Sequence, residues 1–177
     1  MQAPPLHPLI VHLPMALAAL MPLVTGGLLL AWWRGYLPKR TWLVAAALQL
    51  ALFASGLVAM QTGETDEERV EHVVAEAAIE RHEEAAELFT WSAGVLLAVA
   101  LLPLVMRNER LARVGGLLTF TGACVLLGLG YRVGSAGGEL VYRHGAAAAY
   151  AAGAVVAPDA ERHEDHDDDP GRRAGSG

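Results

Sequence analysis

The chain has 177 residues and a formal net charge of −6, with 54% of residues hydrophobic and only 18% charged. Soluble globular chains run at about 45–50% apolar and about 25% charged, so the excess points to membrane segments and away from a soluble enzyme or nucleic-acid binder. The start, Met1-Gln2-Ala3-Pro4-Pro5, carries no positive charge, and the apolar run after it is too long for a signal core, which argues against a cleaved signal peptide.

Four apolar runs free of charged residues follow in order: Leu9–Trp33, Thr41–Gln61, Leu88–Met106 and Val114–Tyr131. About 20 residues at 1.5 Å rise cover the roughly 30 Å hydrocarbon core, so each run predicts a spanning helix. The expected fold is all-α: a polytopic membrane four-helix bundle occupying residues 1–150, followed by an alanine-rich stretch and a disordered acidic tail over 151–177.

In the first run, Pro8 suits a helix's first turn, and Pro14 predicts a kink close to His12. The short connections after runs one and three hold Arg34, Lys39, Arg40, Arg107, Arg110 and Arg113 against one acid, Glu109. Short loops rich in Lys and Arg stay in the cytoplasm, so both termini and the connection after run two are expected to face the periplasm or exterior. Trp32, Trp33, Tyr36 and Trp42 mark the inner boundary, where amphipathic rings prefer to sit.

Gln61-Thr62-Gly63 reads as a glycine stop, with Thr65 or Asp66 capping a new helix. Val70, Val74, Ala77, Ala78, Ala85 and Leu88 then form a stripe on an otherwise acidic segment, which predicts one helix from about Asp66 to Met106 whose first part projects beyond the membrane. Asn108-Glu109 marks the turn into the fourth helix, and the glycines from Gly134 to Gly145 predict a backbone that turns or passes close to something large beyond it. The single cysteine, Cys124, falls mid-run and reads as a small buried residue.

Five histidines, His7, His12, His72, His82 and His144, map to the outer side; His163 and His166 sit in the tail. Imidazole is a common ligand of haem iron, copper and zinc, and the competing reading is a set of hydrated interfacial residues. His12 lies at the edge of the apolar region, where an ionisable ring is usually functional. His7 is five residues earlier, about 140° round a helix, so it is placed in reserve. His72 and His82 are about 15 Å and 80° apart on one helix and cannot share an ion. His82, flanked by Ala78, Ala85 and Ala86, is the better ligand candidate. His144 follows a glycine-rich stretch beside Arg143, a residue type that pairs with carboxylates such as haem propionates. No Cys-x-x-Cys-His, His-Glu-x-x-His, phosphate loop or nucleophile motif occurs, so the chain is not expected to be an enzyme on its own.

The stretches "LHPLIVHLPMAL", "RHEEAAE" and "GGELVYRHG" together resemble the bacterial predicted-membrane-protein family called domain of unknown function 2231, over most of residues 1–150. The resemblance implies a four-helix membrane domain. Some relatives resemble fusions to Rieske iron–sulfur domains, which implies a redox setting, although this chain lacks the Rieske Cys/His pairs.

The leading expectation is therefore an inner-membrane protein that binds haem b, or else copper or zinc, at its outer end for electron transfer. His12, His82 and His144 form the expected ligand set, with His7 in reserve. The expected partners are the lipid bilayer and a redox protein, with room for a homo-oligomer. The alternative is a non-catalytic interaction subunit whose histidines are interfacial.

Overall fold

A computed structural model describes residues 7–70 and 74–144, with side chains placed for all of them except 66–70. These residues form helices α1 (His7–Ile10), α2 (His12–Trp33), α3 (Leu43–Val70), α4 (Glu76–Val105) and α5 (Glu109–Tyr142), with a 3₁₀ turn at Lys39–Trp42. No strand occurs among the described residues. Four helical segments are long and apolar enough to cross a membrane: His7–Trp33, Lys39–Thr65, Glu76–Val105 and Glu109–Tyr142. The last two, at 30 and 34 residues, exceed the roughly 20 that a bilayer needs, so they extend beyond it.

Packing runs in a closed ring, α2 on α3, α3 on α4, α4 on α5 and α5 on α2. One core cluster draws on all four: Ala18 and Met21, Leu52, Phe89, Ala93 and Leu96, Ala123 and Leu126. Leucines and valines such as Leu23, Val95 and Val125 cover the outside, as lipid requires. The buried polar side chains of Thr25, Thr119 and Gln49 bond to backbone, while Gln49 Oε1 is left without a partner among the described residues. Thr25 donates to the Met21 carbonyl at 2.7 Å, Thr119 to Gly115 at 2.8 Å and Gln49 Nε2 to Ala93 on the facing helix at 2.9 Å.

At the arginine-rich end, α2 stops at Gly35, whose φ of +75° suits glycine alone, and the Tyr36 amide returns to the Ala31 carbonyl at 2.9 Å. Asn108 caps α5, its Oδ1 accepting from the Arg110 amide at 2.9 Å and the Leu111 amide at 3.3 Å. Lys39 and Trp42 donate across the bundle to the carbonyls of Met106 and Ala100.

Several expectations need correction, but the kink expected near Pro14 is present as a division of the helix at Val11, beside His12. Pro14 has no amide to offer the Ile10 carbonyl one turn earlier, so the break appears before the proline. Gly63 is not a stop: α3 runs on to Val70, and Thr62 and Thr65 donate to the Val58 and Gln61 carbonyls one turn back, both at 3.1 Å. The long outer helix therefore begins at Glu76 rather than near Asp66. Gly134, Gly137 and Gly138 do not turn the chain, because α5 continues to Tyr142. Cys124 is exposed on the lipid-facing side. The tail over 151–177 lies outside the described residues.

Two glycines on α5 separate close packing from flexibility. A Cβ at Gly115 would sit 3.1 Å from Leu102 Cβ and 3.2 Å from the Pro103 ring, whereas one at Gly128 would meet nothing within 4 Å. Gly115→Ala should therefore destabilise by about 1–3 kcal/mol through overpacking. Gly128→Ala should be neutral or stabilising by up to about 1 kcal/mol. Thermal unfolding of both variants in detergent checks this, and equal effects would count against glycine-mediated packing at Gly115.

Candidate functional site at the imidazole end

All four helical spans meet around two histidines at the end opposite the arginine-rich loops. His7 opens α1, and its Nδ1 lies 2.9 Å from the Ala59 carbonyl on α3, with Thr62 Oγ1 at 3.4 Å. A carbonyl can only accept, so Nδ1 carries the proton and Nε2 of the neutral ring keeps its lone pair. This is the arrangement by which proteins orient metal-binding imidazoles.

His82, on α4, is half-buried. The charged residues Glu76, Glu80, Arg81, Glu83, Glu84 and Glu87 all precede the uncharged stretch that starts at Leu88, so His82 stands outside the hydrocarbon. Its ring centre is 6.3 Å from that of His7, with the planes at 87°. Nδ1 of His82 is buried and makes no hydrogen bond.

Two glycines make room for this pair. A Cβ at Gly63 on α3 would lie 3.3 Å from His7 Cε1, and one at Gly137 on α5 would lie 3.2 Å from His82 Cε1. Both imidazoles thus rest against bare backbone. Gly63 is the site residue that the sequence hides, because glycine there reads as a helix stop; at Gly137 the expected close approach is present, with His82 as the neighbour.

The other proposed ligands sit elsewhere. His12 is exposed on α2, and His144 is half-buried just past the end of α5. Among the described residues neither ring makes a hydrogen bond or ring contact. The structure therefore brings together His7 and His82, not His12, His82 and His144. About 140° of helix rotation separates His7 from His12, so when one faces the bundle the other does not. No group of three His, Cys, Asp or Glu side chains with metal-site geometry occurs among the described residues. His72, His163 and His166 lie outside them.

A polar cavity of about 310 Å³ opens between α4 and α5, lined by Arg81, Glu84, Ala85, Leu88, Arg132, Ser135 and Glu139 among others. An apolar groove of about 560 Å³ lies between Leu9, Ile10 and Leu13 and the Ala51–Val58 face of α3. Neither is lined by an imidazole.

Burial and the neighbouring His7 hold the His82 imidazole below its ordinary value near 6.5, while the Val133 carbonyl beside it pulls the other way. Chemically, burial favours the neutral form of His82, the form whose nitrogen lone pair can bind a metal. Unfolded His82 takes up a proton as pH falls through about 6.5, and the folded ring resists it. Stability linked to this residue is therefore intact above that pH and is lost as pH drops towards the lowered folded value. The wild-type melting temperature in detergent should fall between pH 7 and 5 more steeply than that of His82→Gln. Parallel pH profiles would remove this assignment.

No curated protein and no solved structure matches the chain. The family model for the predicted membrane protein (DUF2231) covers residues 3–150, which include the paired histidines and both glycines beneath them. The helices, their hydropathy and this match agree: the chain belongs to the DUF2231 family of predicted membrane proteins.

Proposed function

We propose that this protein lies in a bacterial inner membrane with its imidazole end facing the periplasm, and that His7 and His82 there hold a metal cofactor used in membrane-associated electron transfer. The orientation is supported by the six basic residues in the two short loops at the opposite end. The observation that carries the cofactor reading is the ring pair itself. Ring centres 6.3 Å apart leave room for one metal ion between two nitrogens at bonds of about 2 Å. The Ala59 carbonyl fixes the His7 tautomer, and His82 Nδ1 is a buried atom in need of a partner.

Imidazole suits copper, zinc and iron, and of these copper and iron exchange single electrons. A bare ion has more support than haem b. A macrocycle needs a slot across the ring axis, whereas Gly63 and Gly137 press on the rings and neither cavity is lined by them. The protein's own contribution is to hold two imidazoles at a fixed spacing, shielded on their outer flanks by backbone. A redox protein on the periplasmic side is the proposed partner.

A second reading keeps the same geometry without a metal. His7 ties α1 to α3 and packs on His82, so the pair also serves as a clasp for a non-catalytic interaction subunit, with the acidic outer turns of α4 as its docking face.

One experiment separates the two. Purify the full chain after expression with haem precursor, copper and zinc supplied, then record the absorbance spectrum and metal content. The proposal expects close to one metal ion or haem per chain. His7→Ala and His82→Ala should each lower occupancy at least about tenfold, while His12→Ala and His144→Ala retain it. A wild-type protein with no bound metal and no Soret band leaves only the clasp.

A further inference from the structure

The polar cavity between α4 and α5 lies at a telling depth. Leu88 begins the uncharged stretch of α4 and Tyr131 ends that of α5. Glu84, Arg81, Arg132, Ser135 and Glu139 line the cavity and fall within the next two or three turns beyond that boundary. At 1.5 Å per residue they occupy the first ~10 Å outside the hydrocarbon, the level of lipid headgroups. The cavity, at about 310 Å³, is at the small end of ligand pockets.

Its charges select among headgroups. Arg81 and Arg132 supply guanidinium forks that match phosphate oxygens, and Glu84 and Glu139 supply carboxylates that accept from an ammonium. Two charges of each sign disfavour a purely anionic headgroup and suit one carrying both. Arg81 is steadied by its own Nε, which donates to the Ala77 carbonyl at 3.1 Å. The competing Glu139–Arg143 pair, at 3.5 Å and exposed, is worth little. Leu88, which lines the cavity at the edge of the uncharged stretch, offers an apolar surface to the first carbons of an acyl chain.

We propose that this cavity is a binding site for a phospholipid with a primary-amine headgroup, phosphoethanolamine, in the leaflet at the imidazole end. The arginines take the phosphate and the glutamates take the ammonium. A choline headgroup offers no N–H donors to the carboxylates and binds less well. The site shares no residue with the imidazole pair, so it stands or falls independently of the metal reading.

The test uses the full chain, delipidated in detergent, with native mass spectrometry of lipids added back. Phosphatidylethanolamine should be retained several-fold over phosphatidylcholine and phosphatidylglycerol. Arg81→Gln combined with Arg132→Gln should abolish retention, and Glu84→Gln combined with Glu139→Gln should equalise ethanolamine and choline lipids. His12→Ala, at an exposed position on α2, should keep the wild-type preference. Equal retention of the three lipids by the wild type overturns the proposal, and so does a preference that survives the arginine changes. Glycerophosphoethanolamine, which lacks acyl chains, should compete poorly; competition equal to the lipid's would make the ligand a soluble one and overturn the lipid assignment. Should the double variants fail to fold, the wild-type selectivity and the single change Arg132→Gln decide.

Discussion

Helices in lipid gain little by hiding apolar surface from one another, because acyl chains are as apolar as leucine. What holds this bundle together is close backbone approach and the hydrogen bonds that such approach permits. Gly115 lies against Leu102 and Pro103, and Gly94 against the ring of Phe53. Gln49 reaches the Ala93 carbonyl, and Trp42 reaches that of Ala100. Each contact depends on a small residue opposite or beside it. Leucine and valine, the commonest side chains on the outer surface, contribute solvation by lipid rather than specificity.

The same device sets the geometry of the imidazole end. Glycine at 63 and 137 lets His7 and His82 lie directly on α3 and α5, and this brings their ring centres to 6.3 Å. Larger side chains at either position would push the rings apart or outward. His7 is further held by the Ala59 carbonyl, so its orientation is set by backbone rather than by another mobile side chain. Preorganisation of this kind is what a ligand site needs, and it comes here from packing rules that already govern the membrane interior.

Outside the bilayer the logic changes. The outer turns of α4 and α5 bury Val74, Ala78 and Ile79 against Leu140, a small cluster of ordinary hydrophobic packing. Around it, acids and arginines mix, and the polar cavity lies where the two regimes meet. Charged side chains are costly a few residues further down the same helices and abundant at this level. Helix length beyond the uncharged stretches thus creates a depth at which these residues can serve a site.

Much of the architecture was legible in the sequence. Four uncharged runs each exceed the bilayer's requirement, and Asn108 before Glu109 announces the start of α5 as a capping residue should. The candidate site was less so. Three stretches were read as converging on one end, but the ligand set chosen there, His12 and His144 with His82, is not the pair that meets. Hydropathy is a property of each residue against its solvent, and in a membrane both faces of a helix are apolar. The rotation that decides whether His7 or His12 faces inward therefore leaves no periodic trace. Glycine is equally ambiguous, since it can end a helix, turn a chain or admit a ring. Length and hydropathy settled the number of spans, because insertion depends on one segment and the bilayer. Only the tertiary structure decided which imidazoles meet and why Gly63 and Gly137 stand beneath them, because those are relations between segments far apart in the chain.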